Sequence, residues 1–267
     1  QALLSGGMVY SNTGAYGGGV HVNQGRATLG GGIINENAAQ DGGGVHVSGG
    51  NGVFTLTAGL VEDNTATRHG GGVYVASGSL LMRGGQIFNN TAAQRGGGIY
   101  AQFGALTLQD GQIDHNTANL GGGVFVDLSM ASWRQTGGMV SYNNALSQGG
   151  GVFLNWATGE MSGGKIDANH AISGGGLYLA GSSSVYTQTG GLLFNNSAAA
   201  GGGLYVNAGR TTVRNAAFIG NTADRGAGCY NASNLELVNV TLSGNAATQN
   251  GGALYNTGTV KATNVTL

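Results

Sequence analysis

The residues whose types could do chemistry are few, and the densest acidic group is Glu36, Glu62 and Asp63, followed by Asp114 and His115. Clustered carboxylates can hold a hard cation, and a pair flanking a glycosidic bond can hydrolyse it. A lyase would also need an Arg or Lys base beside them. Neither stands in register with this group, and most of the 11 acidic residues are scattered. The expectation is therefore a solvated corner, with cation binding as the alternative. His21 and His46 recur in equivalent positions and could ligate a metal together, but two histidines fall short of the usual three or four ligands. Their position continues as Tyr74, Tyr100, Phe125, Phe153, Tyr178, Tyr205 and Tyr230, which points to a packing ladder. The single cysteine, Cys229, takes a place filled elsewhere by Val, Ile, Leu or Ala, so a buried small hydrophobe is expected. The sequons at Asn89, Asn195, Asn231, Asn239 and Asn264 arise freely in a chain this rich in Asn and Thr. No catalytic, cofactor-binding or metal-binding residue is assigned, and no cofactor is expected.

The elements that must position these groups follow from a repeat. An asparagine precedes each glycine cluster: Asn12, Asn37, Asn64, Asn90, Asn116, Asn144, Asn169, Asn196, Asn221 and Asn245, at intervals of 24 to 28 residues. A glycine-rich triplet follows five or six residues later. Inward candidates stand three residues before the anchor (Ile34, Val61, Ile87, Ile113) and eight before it (Leu29, Leu56, Met82, Leu108). More follow the triplet, as in Val45/Val47 and Val73/Val75. Each segment alternates over four to six residues, which suits a strand and is too short for a helix. Three short strands per ~26 residues describe one coil of a parallel β-helix.

The fold expected is all-β: a right-handed single-stranded parallel β-helix of about ten coils, forming one domain over residues 1–267. Stacking at ~4.8 Å turns every position into a column of like residues. The asparagines become a buried ladder bonded amide to amide. The glycine triplets fall where the chain bends sharply and coils pack backbone to backbone. Proline is absent because nearly every N–H is needed for pairing. By alternation the column from His21 to Tyr230 points away from the core, and it is expected either as an exposed interaction stripe or as a ladder covered by loops.

Composition excludes several classes. With 40% hydrophobic residues, 56 glycines, no proline and 21 charged residues, the chain fits neither a disordered segment nor collagen. No apolar run approaches the ~18 residues that cross a bilayer, so no direct membrane insertion is expected. A net charge of −1 gives no footprint for nucleic acid.

The motifs resemble the repeats of the chlamydial polymorphic outer-membrane proteins, with their GGAI and FxxN signatures. Phe218-Ile-Gly-Asn221 fits FxxN; Ile87-Phe-Asn-Asn90 and Leu193-Phe-Asn-Asn196 are close variants; Gly251-Gly-Ala-Leu254 nearly matches GGAI. The resemblance implies an extracellular or cell-surface prokaryotic protein with an adhesive or structural role. Residues 1–267 are not expected to include the C-terminal membrane barrel that such passengers carry. Val9 and Leu267 hold equivalent register positions, so both ends are expected as uncapped coil edges. That fits either an excerpt of a longer passenger or rods that stack head to tail. The leading expectation is a non-enzymatic structural protein whose partner is itself, in a filament or surface layer, with glycans or a host surface as further partners. The alternatives are a polysaccharide-binding or polysaccharide-cleaving β-helix and a passenger fragment of a larger adhesin.

Overall fold

The computed structural model describes residues 1–267 and contains strands and turns but no helix. Every strand pairing is parallel, each strand meeting its counterpart one coil away, as in Leu29↔Leu56 and Val73↔Ile99. The result is a parallel β-solenoid of about ten coils. Three sheets run along it. The largest has 16 strands and carries the segments before each asparagine; a ten-stranded sheet carries the segment after each triplet; a six-stranded sheet, extended by a two-stranded one, lies between.

Coil construction departs from three short strands. In five coils the two segments before the anchor join into one ten-residue strand, such as Ser79–Phe88 or Ala105–Asp114. Elsewhere they remain separate, as Ser132–Gln135 and Met139–Ser141. In four of these the joint is a glycine bend, with a register shift between Met82 and Gln86 for example, whereas Asn234–Ser243 joins without a glycine. An additional short strand follows each anchor in most coils, such as Thr65–His69.

Alternation sends Val, Leu, Ile, Met and Phe inward into a single cluster of 43 buried residues extending from Val22 to Leu242. Cys229 is fully buried in this cluster, and burial pushes its thiol pKa up, so it behaves as an inert apolar rung.

The asparagine ladder lines the bend next to this core. Asn64 shows the pattern. Its Oδ1 accepts the backbone N–H of Asn37 at 3.0 Å and the Asn37 amide at 3.0 Å. Its Nδ2 donates to the Ile34 carbonyl at 2.9 Å and to Asn90 Oδ1 at 3.0 Å. All the amide's capacity is thus used without water. The same bonds connect Asn12, Asn37, Asn90 and Asn116, and continue through Asn169, Asn196, Asn221 and Asn245.

One rung differs from expectation. Asn143, not Asn144, receives the Asn116 N–H at 3.0 Å and passes its amide to Asn169 at 3.0 Å. Asn144 lies one residue past the bend and begins the next short strand. The physical reason is the residue before each rung, which is left-handed in every coil: φ is 53° at Asp63, 52° at Asn89 and 53° at Tyr142. A rung at 144 would break that column. Val140, three residues before Asn143, and Ala145, two after, already mark the true register.

Backbone angle, coil-to-coil approach and the ladder together require the triplets, as Gly96–Gly98 show. Gly96 has φ +64°, a conformation L side chains avoid. A Cβ on Gly97 would lie 2.5 Å from the carbonyl oxygens of Gly122 and Thr117 in the next coil. A Cβ on Gly98 would lie 2.7 Å from the Gly123 carbonyl oxygen in the next coil and 2.9 Å from Asn116 Nδ2. The third glycine is therefore demanded both by the backbone of the next coil and by the ladder amide, which lies against it.

Candidate functional site: the aromatic ladder and its cover

The column expected as an interaction stripe is an unbroken stack of rings. Centroids from His21 through His46, Tyr74, Tyr100, Phe125, Phe153, Tyr178 and Tyr205 to Tyr230 are 4.4–5.5 Å apart. Tyr255 extends it by one ring, 4.9 Å beyond Tyr230. Its place one coil on, just after Gly251-Gly-Ala-Leu254, is the sequence signal for it.

These rings point away from the main core, yet most of the column is not exposed. His46, Tyr74, Tyr100, Phe125, Phe153 and Tyr178 are all buried, and the last five of these form a second small core. Of the column, only His21 is exposed, while Tyr205 and Tyr230 are half-buried. The chain between each asparagine and its triplet folds back over the rings. The residue immediately before each triplet forms a column by parallel bridging, Tyr16, Asp41, His69, Arg95, Leu120, Gln148, Ser173, Ala200, Arg225 and Asn250, and from His69 onward this column supplies the cover.

Side-chain size in that cover decides what lies open. His69 packs against Tyr100 at 4.9 Å, Arg95 sits 5.4 Å from the Phe125 centroid, and Leu120 packs on the same small core. Asp127 fixes this region: it accepts Arg95 Nη1 at 3.2 Å, the Tyr100 hydroxyl at 3.0 Å and Asn155 Nδ2 at 2.8 Å. Buried Asp41 pairs with Arg68, and the Tyr74 hydroxyl donates to Gln102. Burial holds His46 down to about 4, the charge of His21 adding to the effect and Asp41 opposing it. It pushes Tyr74 up to about 12. Burial likewise lowers His69, with Asp41 acting the other way.

Toward the other end the cover shrinks to Ser173 and Ala200. A groove of about 310 Å³ opens there over Tyr205 and Tyr230, bordered by Asp224, Arg225 and Gln249. These two rings are the closest and most nearly parallel of the column, 4.4 Å apart at 6°. Burial, and then the charges of the neighbouring tyrosines, push Tyr205 up to about 12, so its hydroxyl stays a neutral donor and acceptor.

The other sequence candidates are placed apart from this groove. Glu36 and Asp63 follow each other in the left-handed column before the rungs, with Glu62 beside them. Glu36 accepts from Ser11, Asp63 from Asn89, and Asp114 pairs with His115 at 3.2 Å. Nowhere do three His, Cys, Asp or Glu side chains come together as a metal-binding group. His21 and His46 meet edge to face at 4.7 Å as part of the stack, and His21 Nε2 bonds Ser48 Oγ at 2.8 Å. Of the sequon asparagines, Asn231 is buried while Asn89, Asn195, Asn239 and Asn264 are exposed.

Two stretches carry the functional comparison. Residues 85–102 and 239–257 match the Chlamydia polymorphic membrane protein repeat. Each stretch runs from an inward strand residue (Ile87, Leu242) through a rung (Asn90, Asn245) and a triplet to a stacked tyrosine (Tyr100, Tyr255). The similarity therefore falls on the ladder, the bend and the aromatic column together. No curated protein and no solved structure matches the chain.

Proposed function

We propose that this chain is an adhesin-like surface passenger segment, a stiff extracellular rod that presents its flanks to other surfaces rather than a catalyst. The observation that carries this reading is the match of two coils to a bacterial surface-protein repeat whose columns run on through the neighbouring coils. Supporting it, several acidic side chains are engaged by their neighbours: Asp127 by Arg95, Tyr100 and Asn155, Asp114 by His115. Ten coils give a rod of about 50 Å. Beads coated with the purified chain should adhere to cultured epithelial cells or to immobilised extracellular matrix, and beads coated with an unrelated solenoid should not; equal adherence would reject the reading.

Low charge favours a second reading, association of rods with one another, because a net charge of −1 opposes close approach only weakly. Electron microscopy and sedimentation velocity at rising concentration decide it. Filaments or mass growth support assembly, and separate ~50 Å rods at every concentration reject it.

A further inference from the structure

We propose that the groove over Tyr205 and Tyr230 binds a pyranose residue of a neutral glycan. The proposal deepens the adhesive reading above and rests on it. The groove exists because Ser173 and Ala200 are small where His69, Arg95, Leu120 and Gln148 shield earlier rings. Its volume of about 310 Å³ is at the lower end for ligand sites and suits one or two sugar units.

The geometry also dictates how a sugar would be held. In the stack both faces of Tyr205 and Tyr230 are occupied, by each other and by Tyr178 and Tyr255. A sugar cannot lie flat on either ring, so the groove offers their edges and hydroxyls instead. Sugar hydroxyls both donate and accept, and the border provides for each role: the Asp224 carboxylate accepts, the Arg225 guanidinium donates, and the tyrosine and Ser173 hydroxyls do both.

Two of these groups are already oriented. Thr248 Oγ1 donates to Asp224 Oδ1 at 2.6 Å, and Arg225 Nε donates to Gln249 Oε1 at 2.9 Å. Ile172, 59% exposed, and Ala200 supply the apolar wall that a pyranose C–H face needs. Asp224 disfavours an anionic sugar and Arg225 a cationic ligand, which leaves a neutral pyranose as the class that fits both.

The test is saturation-transfer NMR with neutral trisaccharides of glucose, galactose, mannose and N-acetylglucosamine, with trigalacturonate as the charged comparison. At least one neutral trisaccharide should bind in the millimolar range. Ala200→Leu, which refills the groove with the side chain found at position 120, should weaken binding at least tenfold, as should Asp224→Asn. The thermal midpoint of each variant checks that the fold is kept. No binding by any neutral trisaccharide, preference for trigalacturonate, or unchanged binding in a folded Ala200→Leu variant would overturn the proposal. Bead adherence separates the two readings. Adherence that survives Ala200→Leu leaves the adhesive reading standing and places contact elsewhere, whereas trisaccharide binding without adherence rejects the adhesive reading alone.

Discussion

The asparagine ladder and the aromatic ladder both repeat once per coil, but only the first commits its whole bonding capacity to fixed partners, the neighbouring rungs and a backbone carbonyl of the adjacent coil. Each interior asparagine gives and receives through both neighbouring coils, so any other residue type would orphan groups on two sides. The aromatic ladder is held by stacking and by whatever covers it. It accepts His, Tyr or Phe at successive rungs, and its cover ranges from Arg95 to Ala200. A column that must satisfy buried hydrogen bonds is fixed in identity. A column that need only fill space at the edge of the core can vary, and that variation is what opens the groove.

The sharpest way to break this contrast is to remove one asparagine. Asn143→Ala deletes the acceptor of the Asn116 N–H and amide, and also the donor to the Ile113 carbonyl at 2.8 Å. Several buried groups lose partners at once, so a loss of about 4 kcal/mol is expected in urea unfolding. Asn144→Ala, one residue away and outside the ladder, should change stability by no more than about 0.5 kcal/mol. Equal effects at the two positions would contradict the register described above.

The aromatic ladder should respond unevenly along its length. Tyr100 is buried at 1% exposure and its hydroxyl serves Asp127, so Tyr100→Ala should cost about 3–4 kcal/mol. Tyr230, half-buried beside the groove, should cost about 1–2 kcal/mol when cut to alanine, because part of the ring is already in water. Denaturation midpoints of the two variants would show the contrast directly, and similar losses would mean that the groove is closed in solution.

Much of this was legible in the sequence because columns repeat. The coil length, the parallel stacking, the inward aliphatics and the existence of an asparagine ladder all follow from residue spacing. At Tyr142-Asn143-Asn144 two adjacent asparagines competed, and the amide alone could not choose between them; Val140 and Ala145 decide it. Alternation turns the aromatic column away from the main core, but its exposure depends on how far the chain folds back after each rung, a tertiary matter that alternation does not encode. What the sequence does contain is the residue immediately before each triplet. Its change from Gln148 to Ser173 and Ala200 marks the groove once the cover is recognised.

Acid should find the covered part of the aromatic ladder before the asparagine ladder, whose amides do not titrate. His46 is neutral in the fold, with its pKa lowered from 6.5 to about 4. The unfolded chain therefore binds the extra proton between those values. Stability from this site is complete above about pH 6.5 and declines until the pH reaches about 4. The groups facing His46 are His21, Tyr16, Tyr74 and Asp41. His69, packed against Tyr74 nearby, is lowered too and adds a loss of the same sign. His46→Phe keeps a ring in the stack and removes the titration. Between pH 7 and pH 4.5 it should lose about 1–2 kcal/mol less than the parent chain in urea unfolding, the full shift being discounted for partial solvation. Parallel pH profiles for the two proteins would show that burial of His46 is not acid-sensitive.

The smallest effect separates backbone demand from side-chain identity at the rungs. Each rung is preceded by a left-handed residue, and the column holds Ser11, Glu36, Asp63, Asn89, His115, Tyr142, Ala168 and Asn195 before ending in Gly220 and Gly244. Only the backbone angle is common to them. Asparagine and aspartate tolerate that region, but alanine has no side-chain group to compensate for the contact of its Cβ with the backbone. Ala168 carries this strain at φ 52° without a compensating bond from its methyl group. Ala168→Gly relieves about 1–2 kcal/mol of steric cost and incurs part of it again as unfolded-state entropy. A net gain of about 0.5–1 kcal/mol in urea unfolding is expected, with the Asn143–Asn169 bond unchanged. If Ala168→Gly instead destabilises the chain, the methyl group must be packing against the bend, and the column is chosen for contact as well as for its angle.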